Sequence, residues 1–352
     1  MIRQLIIFAL IFIPFSMIDN TESIPYKANP YTIVIHGGAG TIKKENLTKE
    51  QEIAYKALLS LALKTGKDHL KKGGTAMETV EMVIKILEDS PLFNAGKGSV
   101  FNNQGFQEMD ASIMDGKDLS FGAVAGFTNL KNPIEGARIV KDSTEHAFLY
   151  GERGQEFCLS KGATYADSAY FYSEYRWNQY QRALKKDTIE LDHSDDQDDK
   201  DAGSVDLRDS KKYGTVGCVV LDKHGNLAAG TSTGGLTNKK YGRIGDSPII
   251  GAGTYASNKS CAVSCTGNGE FFLKGTIARD IAALKEYKHY SLKESGRKIL
   301  KKLTDMKGRG GFISVDKNGK YIMMFNTRGM YRGVANSKGE FRVEMYSDSK
   351  EN

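Results

Sequence analysis

Apolar and polar positions divide the chain into strand-like runs, helical patterns and turn-rich connections. Tyr31 to Ile35 is β-branched and apolar, reads as a strand, and leads straight into His36-Gly37-Gly38-Ala39-Gly40. Residues 51–64 and 76–89 follow as helices; in the second, Met77, Val80, Val83, Ile84 and Leu87 recur at helical spacing. Between 90 and 128 the chain turns glycine-rich, with strand and loop character in Pro91 to Phe101, Met109 to Gly116 and Gly122 to Gly126. Helical patterns resume near Pro133 and near His146. From about Lys185 to Lys212 aspartates crowd a stretch with almost no apolar residues, which buries too little surface to order itself.

The next stretch is the one around which the rest is organised. Thr215 to Leu221 reads as a strand, Lys223 to Asn226 carries turn chemistry, and Leu227 to Thr233 returns. A turn centred near His224 sets Thr215 opposite Thr233 or its immediate neighbour. A strand is expected near Ala262 to Cys265, then a helix to about Tyr287 and a basic amphipathic helix over residues 293–304. A last hairpin, Phe312 to Val315 and Tyr321 to Phe325, turns at Asn318-Gly319. Asp316-Lys317-Asn318-Gly319 echoes Asp222-Lys223-His224-Gly225, two hairpins sharing one turn. Strands in hairpins with helices grouped around them predict an α+β fold of stacked antiparallel sheets covered by helices, rather than alternating βαβ units.

Composition narrows the function. With 352 residues, 40% hydrophobic and 26% charged, the chain has the profile of a soluble globular protein with ample core. The net charge of +6 is spread along the sequence, which argues against a nucleic-acid partner. Arg3, the uncharged run Leu5 to Ile18 and the polar exit Asp19 to Ser23 match a secretory signal peptide ending near residue 23, too short for a comfortable membrane span. An exported protein, periplasmic or secreted and free of the membrane after removal of that segment, is the expectation. Cys261 and Cys265 sit four apart in a strand-like stretch, roughly 13 Å between Cα atoms, too far to bridge. Buried free thiols are expected, and no Cys/His spacing suggests zinc.

Two mechanisms compete for the glycine-rich signals. One takes Gly230-Thr231-Ser232-Thr233-Gly234 as the elbow of a serine esterase, with His36-Gly37-Gly38-Ala39 as its oxyanion loop. An elbow must lead into a helix, and the sequence through Pro248 is not helical. The other makes Thr215 an N-terminal nucleophile. Its hydroxyl needs a base, and a free α-amine, with a pKa of about 7.7–8.0, suits that task. That amine exists only after a cut between Gly214 and Thr215, and Gly214 leaves its carbonyl open to the Thr215 hydroxyl. Thr233 faces the nucleophile across the hairpin. Arg243 and Asp246, three apart on a turn-rich loop, offer charges matching an amino acid's carboxylate and ammonium. Thr266-Gly267 could form an oxyanion hole. A non-catalytic binding module is the third class of reading.

The stretches His36-Gly37-Gly38-Ala39-Gly40, Asn94-Ala95-Gly96, Met109-Asp110-Ala111, Gly214-Thr215-Val216-Gly217, Thr231-Ser232-Thr233-Gly234-Gly235, Gly242 to Pro248 and Thr266-Gly267-Asn268-Gly269-Glu270 resemble, in order, the plant-type L-asparaginase/isoaspartyl peptidase family of Ntn hydrolases. The resemblance runs from about Tyr31 to the C-terminus. It implies an αββα sandwich, cut by itself into an α subunit (24–214) and a β subunit beginning at Thr215, and an (αβ)2 assembly. It also implies hydrolysis of L-asparagine and of isoaspartyl dipeptides. By position, Thr215 resembles the nucleophile, Thr233 its support and Asn94 a residue beside it. Arg243 and Asp246 resemble the substrate clamps, with Gly269 nearby, and Thr266 and Gly267 the oxyanion donors. A sodium ion on the backbone carbonyls of Leu87, Glu88, Ser90, Phe93, Ala95 and Lys97 is implied too. Glycosylasparaginases usually carry an aspartate before the nucleophile, where this chain has Gly214.

Overall fold

A computed structural model describes residues 29–186 and 214–347. The segment expected to be a signal peptide and nearly all of the acidic stretch lie outside the described residues. Two sheets form the centre. The larger contains, in spatial order, β12 (Phe341–Tyr346), β11 (Gly329–Asn336), β1 (Thr32–Gly40), β5 (Val216–Leu221), β6 (Leu227–Thr233), β2 (Met109–Asp115), β3 (Phe121–Phe127) and β4 (Phe148–Tyr150). The smaller runs β10 (Tyr321–Phe325), β9 (Gly310–Asp316), β8 (Cys261–Gly267) and β7 (Thr254–Ala256). Helices α1 (Lys49–Lys71), α2 (Ala76–Glu88) and α3 (Pro133–Ser143) cover the outer face of the large sheet. Helices α8 (Ile277–Tyr287) and α9 (Leu292–Asp305) cover that of the small one. The chain folds as an αββα sandwich.

The period-two alternation of the strands sorts most of their side chains among three large cores. Ile33, Ile35, Cys218 and Val220 face the first helical layer with Leu59, Leu63, Val80 and Ile84. Val34, Val219, Leu221 and Ala229 meet Ala262, Ile313 and Val315 between the sheets. Cys261, Val263, Cys265 and Phe312 pack under Ile281, Ile299 and Leu303. All four cysteines are buried and free. Reciprocal capping boxes start three of the helices, Thr48 with Gln51, Thr75 with Glu78 and Ser291 with Glu294.

The central hairpin has the expected register. Val216 pairs with Ser232 and Leu221 with Leu227, which sets Thr215 opposite Thr233. Its turn occurs three times among the described residues. Asp222 Oδ1 accepts the amides of His224 and Asn226, Asp316 Oδ1 those of Asn318 and Lys320, and Asn336 Oδ1 those of Lys338 and Glu340.

Several expectations are corrected. The first strand does not stop at Ile35 but carries the glycine run, and its pairing with β11 slips between His36 and Ala39. Gly37 occupies that bulge because a Cβ there would lie 2.3 Å from the Phe93 ring. The region after His146 begins not with a helix but with β4, which pairs parallel to β3, and only then with α4 (Gly151–Ser160). The helix to Tyr287 is two, α7 (Gly269–Gly275) and α8, parted at Thr276, whose φ of 45° is left-handed. Strands β7, β11 and β12 and helices α5 (Ser168–Phe171) and α6 (Glu174–Lys185) were not anticipated.

Glu88, the last residue of α2, is buried, and its Oε1 accepts the Ile134 amide at the start of α3. Burial pushes this carboxyl up to about 8, against the Ile134 hydrogen bond that favours the charged form. The folded chain therefore binds more protons than the unfolded one between the ordinary carboxylate range and about pH 8. Stability contributed at this site is lost as pH rises through that window. Differential scanning at pH 5 and pH 8 should show a larger fall in Tm for the wild type than for Glu88→Gln.

Candidate active site

Alternation along β5 and β6 aims Thr215 and Thr233 into the space between the sheets, on the same side as Val219 and Ala229. Both threonines are buried. The Thr215 hydroxyl lies 3.2 Å from the Thr233 hydroxyl and 2.7 Å from the Gly214 carbonyl oxygen. That carbonyl also accepts from Thr233 Oγ1 at 3.2 Å and from Asn94 Nδ2 at 3.2 Å. Asn94 is held in place on all sides. Its Nδ2 donates to Gly235 O, its Oδ1 accepts the Val100 amide, and its own carbonyl accepts from Gly234. Thr233 Oγ1 in turn accepts the Gly235 amide. Besides the Thr215 hydroxyl itself, two donors thus converge on the oxygen of the bond preceding Thr215, which is the arrangement that stabilises negative charge developing on that oxygen.

The second half of the site comes from the loop after β6 and the end of β8. Arg243 and Asp246 do not pair with each other. Arg243 instead gives Nε and Nη2 to the two carboxylate oxygens of Glu270, at 2.9 and 3.1 Å. Its Nη1 edge is left for another acceptor. Asp246 is buried, with Oδ2 unpartnered. Burial pushes its carboxyl up to about 7, although Arg243 nearby favours the charged form. Gly269 lies between the two, since a Cβ there would come within 2.8 Å of both Arg243 Nη2 and Asp246 Oδ1. Thr266 presents a buried, unpartnered hydroxyl near the end of β8, beside Gly267.

Gly214, Thr215, Thr233, Arg243, Asp246 and Gly267 line one cavity of only about 10 Å³. In the uncut chain this admits about one water and no amino acid. A roomier cleft of about 440 Å³ lined by Tyr55, Leu92 and Tyr331 lies apart from these groups, so size does not find the site.

Ser232 points to the opposite face of β6, within a strand that runs on through Thr233 without an elbow, and the esterase geometry is not formed. The implied ion loop closes on itself after α2. A Cβ on Gly96 would lie 2.5 Å from the Glu88 carbonyl oxygen, and one on Gly98 would lie 2.0 Å from that of Phe93. Lys97 turns its ammonium over the Tyr170 ring, 5.1 Å from the centroid. Sequence reasoning missed Glu270 as the partner of Arg243. No local signal marks it, since the fold alone brings Glu270 to the arginine.

The asparaginase family model matches residues 29–345. A Dictyostelium discoideum protein is 46% identical over 319 residues, covering 86% of this chain and 92% of that one. The isoaspartyl peptidase of Escherichia coli strain K12 is 44% identical, covering 85% and 91%. The isoaspartyl peptidase/L-asparaginase of Bos taurus is 40% identical, covering 86% and 92%. The αββα sandwich, the facing threonines on its central hairpin and a family match spanning nearly every described residue agree: the chain belongs to the asparaginase family of Ntn hydrolases.

Proposed function

We propose that Thr215 is the nucleophile of a self-activated amidohydrolase acting on L-asparagine and on isoaspartyl dipeptides. The observation that carries this is the cluster at the Gly214–Thr215 bond, where Asn94 and Thr233 both donate to the Gly214 carbonyl. In the uncut chain the Thr215 hydroxyl rotates off that oxygen and attacks the carbonyl carbon. The Gly214 oxygen takes up negative charge under Asn94 and Thr233, the C–N bond breaks as the nitrogen gains a proton, and water hydrolyses the resulting ester. The products are a new carboxylate at Gly214 and a free amine on Thr215.

The amine then serves as the base for its own hydroxyl in each turnover. Arg243, through its Nη1 edge, takes the substrate's α-carboxylate, and Asp246 takes the α-ammonium. With those ends clamped, the side-chain amide faces Thr215. The Thr266 hydroxyl and Gly267 N–H receive the oxyanion, ammonia or an amino acid leaves, and water releases aspartate from the β-aspartyl enzyme. The names of the bovine and bacterial relatives support both substrate classes. Backbone carbonyls of Leu87, Glu88, Ser90, Phe93, Ala95 and Lys97 offer neutral hard oxygen donors suited to sodium, which would brace the loop carrying Asn94. The chain would work as an (αβ)2 assembly.

Intact mass and N-terminal sequencing of wild type beside Thr215→Ala test the cut. Two fragments in the wild type, one beginning at Thr215, and an uncut variant are expected; a wild type that stays whole after prolonged incubation overturns the proposal. Since Asp246 gains its proton as pH falls through about 7, KM for asparagine should rise below that pH, while Asp246→Asn should show a higher KM without that dependence. Exchanging sodium for a bulky organic cation should lower Tm, and sodium alone should restore it.

A further inference from the structure

We infer that His36 is a positioning residue for Thr215, locked in one tautomer by a line of buried hydroxyls that crosses between the two sheets. The inference rests on the reading of Thr215 as nucleophile. His36 Nδ1 lies 3.0 Å from the main-chain carbonyl oxygen of Thr215. A carbonyl only accepts, so Nδ1 carries the proton. Burial pulls the imidazole down to about 3, although the hydrogen bond to Thr215 opposes this, and the ring is neutral. Nε2 therefore has a lone pair and must accept. The group facing it is the Ser264 hydroxyl at 2.9 Å.

Each hydroxyl has one proton, so the direction set at the histidine runs along the line. Ser264 donates to Nε2 and accepts from Thr231 at 2.7 Å. Thr231 accepts from Thr254 at 2.6 Å, and the directed run ends there, with Ser112 Oγ 2.8 Å beyond. His36, Thr231 and Ser112 belong to the large sheet and Ser264 and Thr254 to the small one, so the line stitches the two together. All five side chains are fully buried. Ser112 gives its one proton to the carbonyl of Ser247, next to Asp246, at 2.6 Å. The directed run thus ends on the backbone of the candidate nucleophile, and its far end lies against Ser112, which holds the carbonyl beside the candidate clamp.

Gly217 is independent evidence that the strand is shaped around this contact. A Cβ there would fall 2.0 Å from Ser264 Oγ and 2.2 Å from His36 Nε2. Acting through the carbonyl, His36 fixes the peptide plane after the Thr215 Cα. That plane sets where the hydroxyl and the future amine point, so its loss misaims the attack without touching the substrate clamp.

The test compares full-length wild type, His36→Asn, His36→Leu and Ser264→Ala. The short amide of His36→Asn can place an N–H near the Nδ1 position; leucine fills space without a donor. His36→Leu is expected to slow both self-cleavage and kcat about tenfold, with KM within about twofold. His36→Asn should recover most of both rates, and Ser264→Ala should fall between. Nitrogen NMR of the histidine ring in wild type should show protonated Nδ1 and bare Nε2. Variants that cut and turn over like wild type overturn the inference, as does equal loss in His36→Asn and His36→Leu, or a wild-type ring protonated on Nε2. If His36→Leu does not fold, Ser264→Ala and the ring spectrum decide. A wild type that never cuts removes instead the reading on which the inference rests.

Discussion

Everything at the site depends on the register of β5 against β6. Side chains alternate along a strand, so a slip of one residue would carry Thr233 to the helical face and bring Ser232 inward. The register is fixed at both ends of the hairpin. At one end the Asp222 carboxylate gathers two turn amides and its second oxygen accepts the Ala76 amide at the start of α2. At the other, Asn94 ties Gly214 to Gly235 through a single side-chain nitrogen. Between them the sheets press Val219, Leu221 and Ala229 against Ala262, Ile313 and Val315. The apolar contacts and the facing threonines share one interior, and neither is satisfied in another alignment.

Two buried carboxyls illustrate how the same desolvation serves different ends. Glu88 is capped by the Ile134 amide and sits between helices, away from the cavity. Each keeps one buried oxygen without a partner, but that of Asp246 lies at the cavity wall. Both are pushed upward by burial, yet only the second faces a space that a cation could enter. Arg243 shows the converse. Its fork is already half engaged by Glu270, so its direction is fixed before any ligand arrives and less side-chain freedom is lost on binding.

Much of this was legible in the sequence, and the physical reason is turn chemistry. Asp222 to Gly225 and Asn318-Gly319 fix two hairpins, and the first of them delivers Thr215 opposite Thr233. The family resemblance then names Asn94, Arg243, Asp246, Thr266, Gly267 and Gly269, and the structure brings all of them around Gly214 and Thr215 or beside that cavity. The strand through Gly37 and Gly38 was illegible because residues without side chains have no period. Residues 329–346 form a further hairpin whose turn, Asn336 to Gly339, repeats the same pattern. Helix continuity across Thr276 gave way to a left-handed residue that no local signal marks. The arginine's true partner, Glu270, is set by tertiary approach rather than by spacing.

The order of strands in the large sheet has a consequence for the two pieces that a break before Thr215 would make. Strands β12 and β11 come from the later piece, β1 from the earlier, β5 and β6 from the later, and β2, β3 and β4 from the earlier. The pieces are interwoven like the fingers of two hands, with three borders of backbone hydrogen bonds between them. Neither could leave without tearing the sheet at β1 and again at β2. Severing one bond would therefore create two chains that remain a single folding unit, inseparable by dilution and separable only by unfolding.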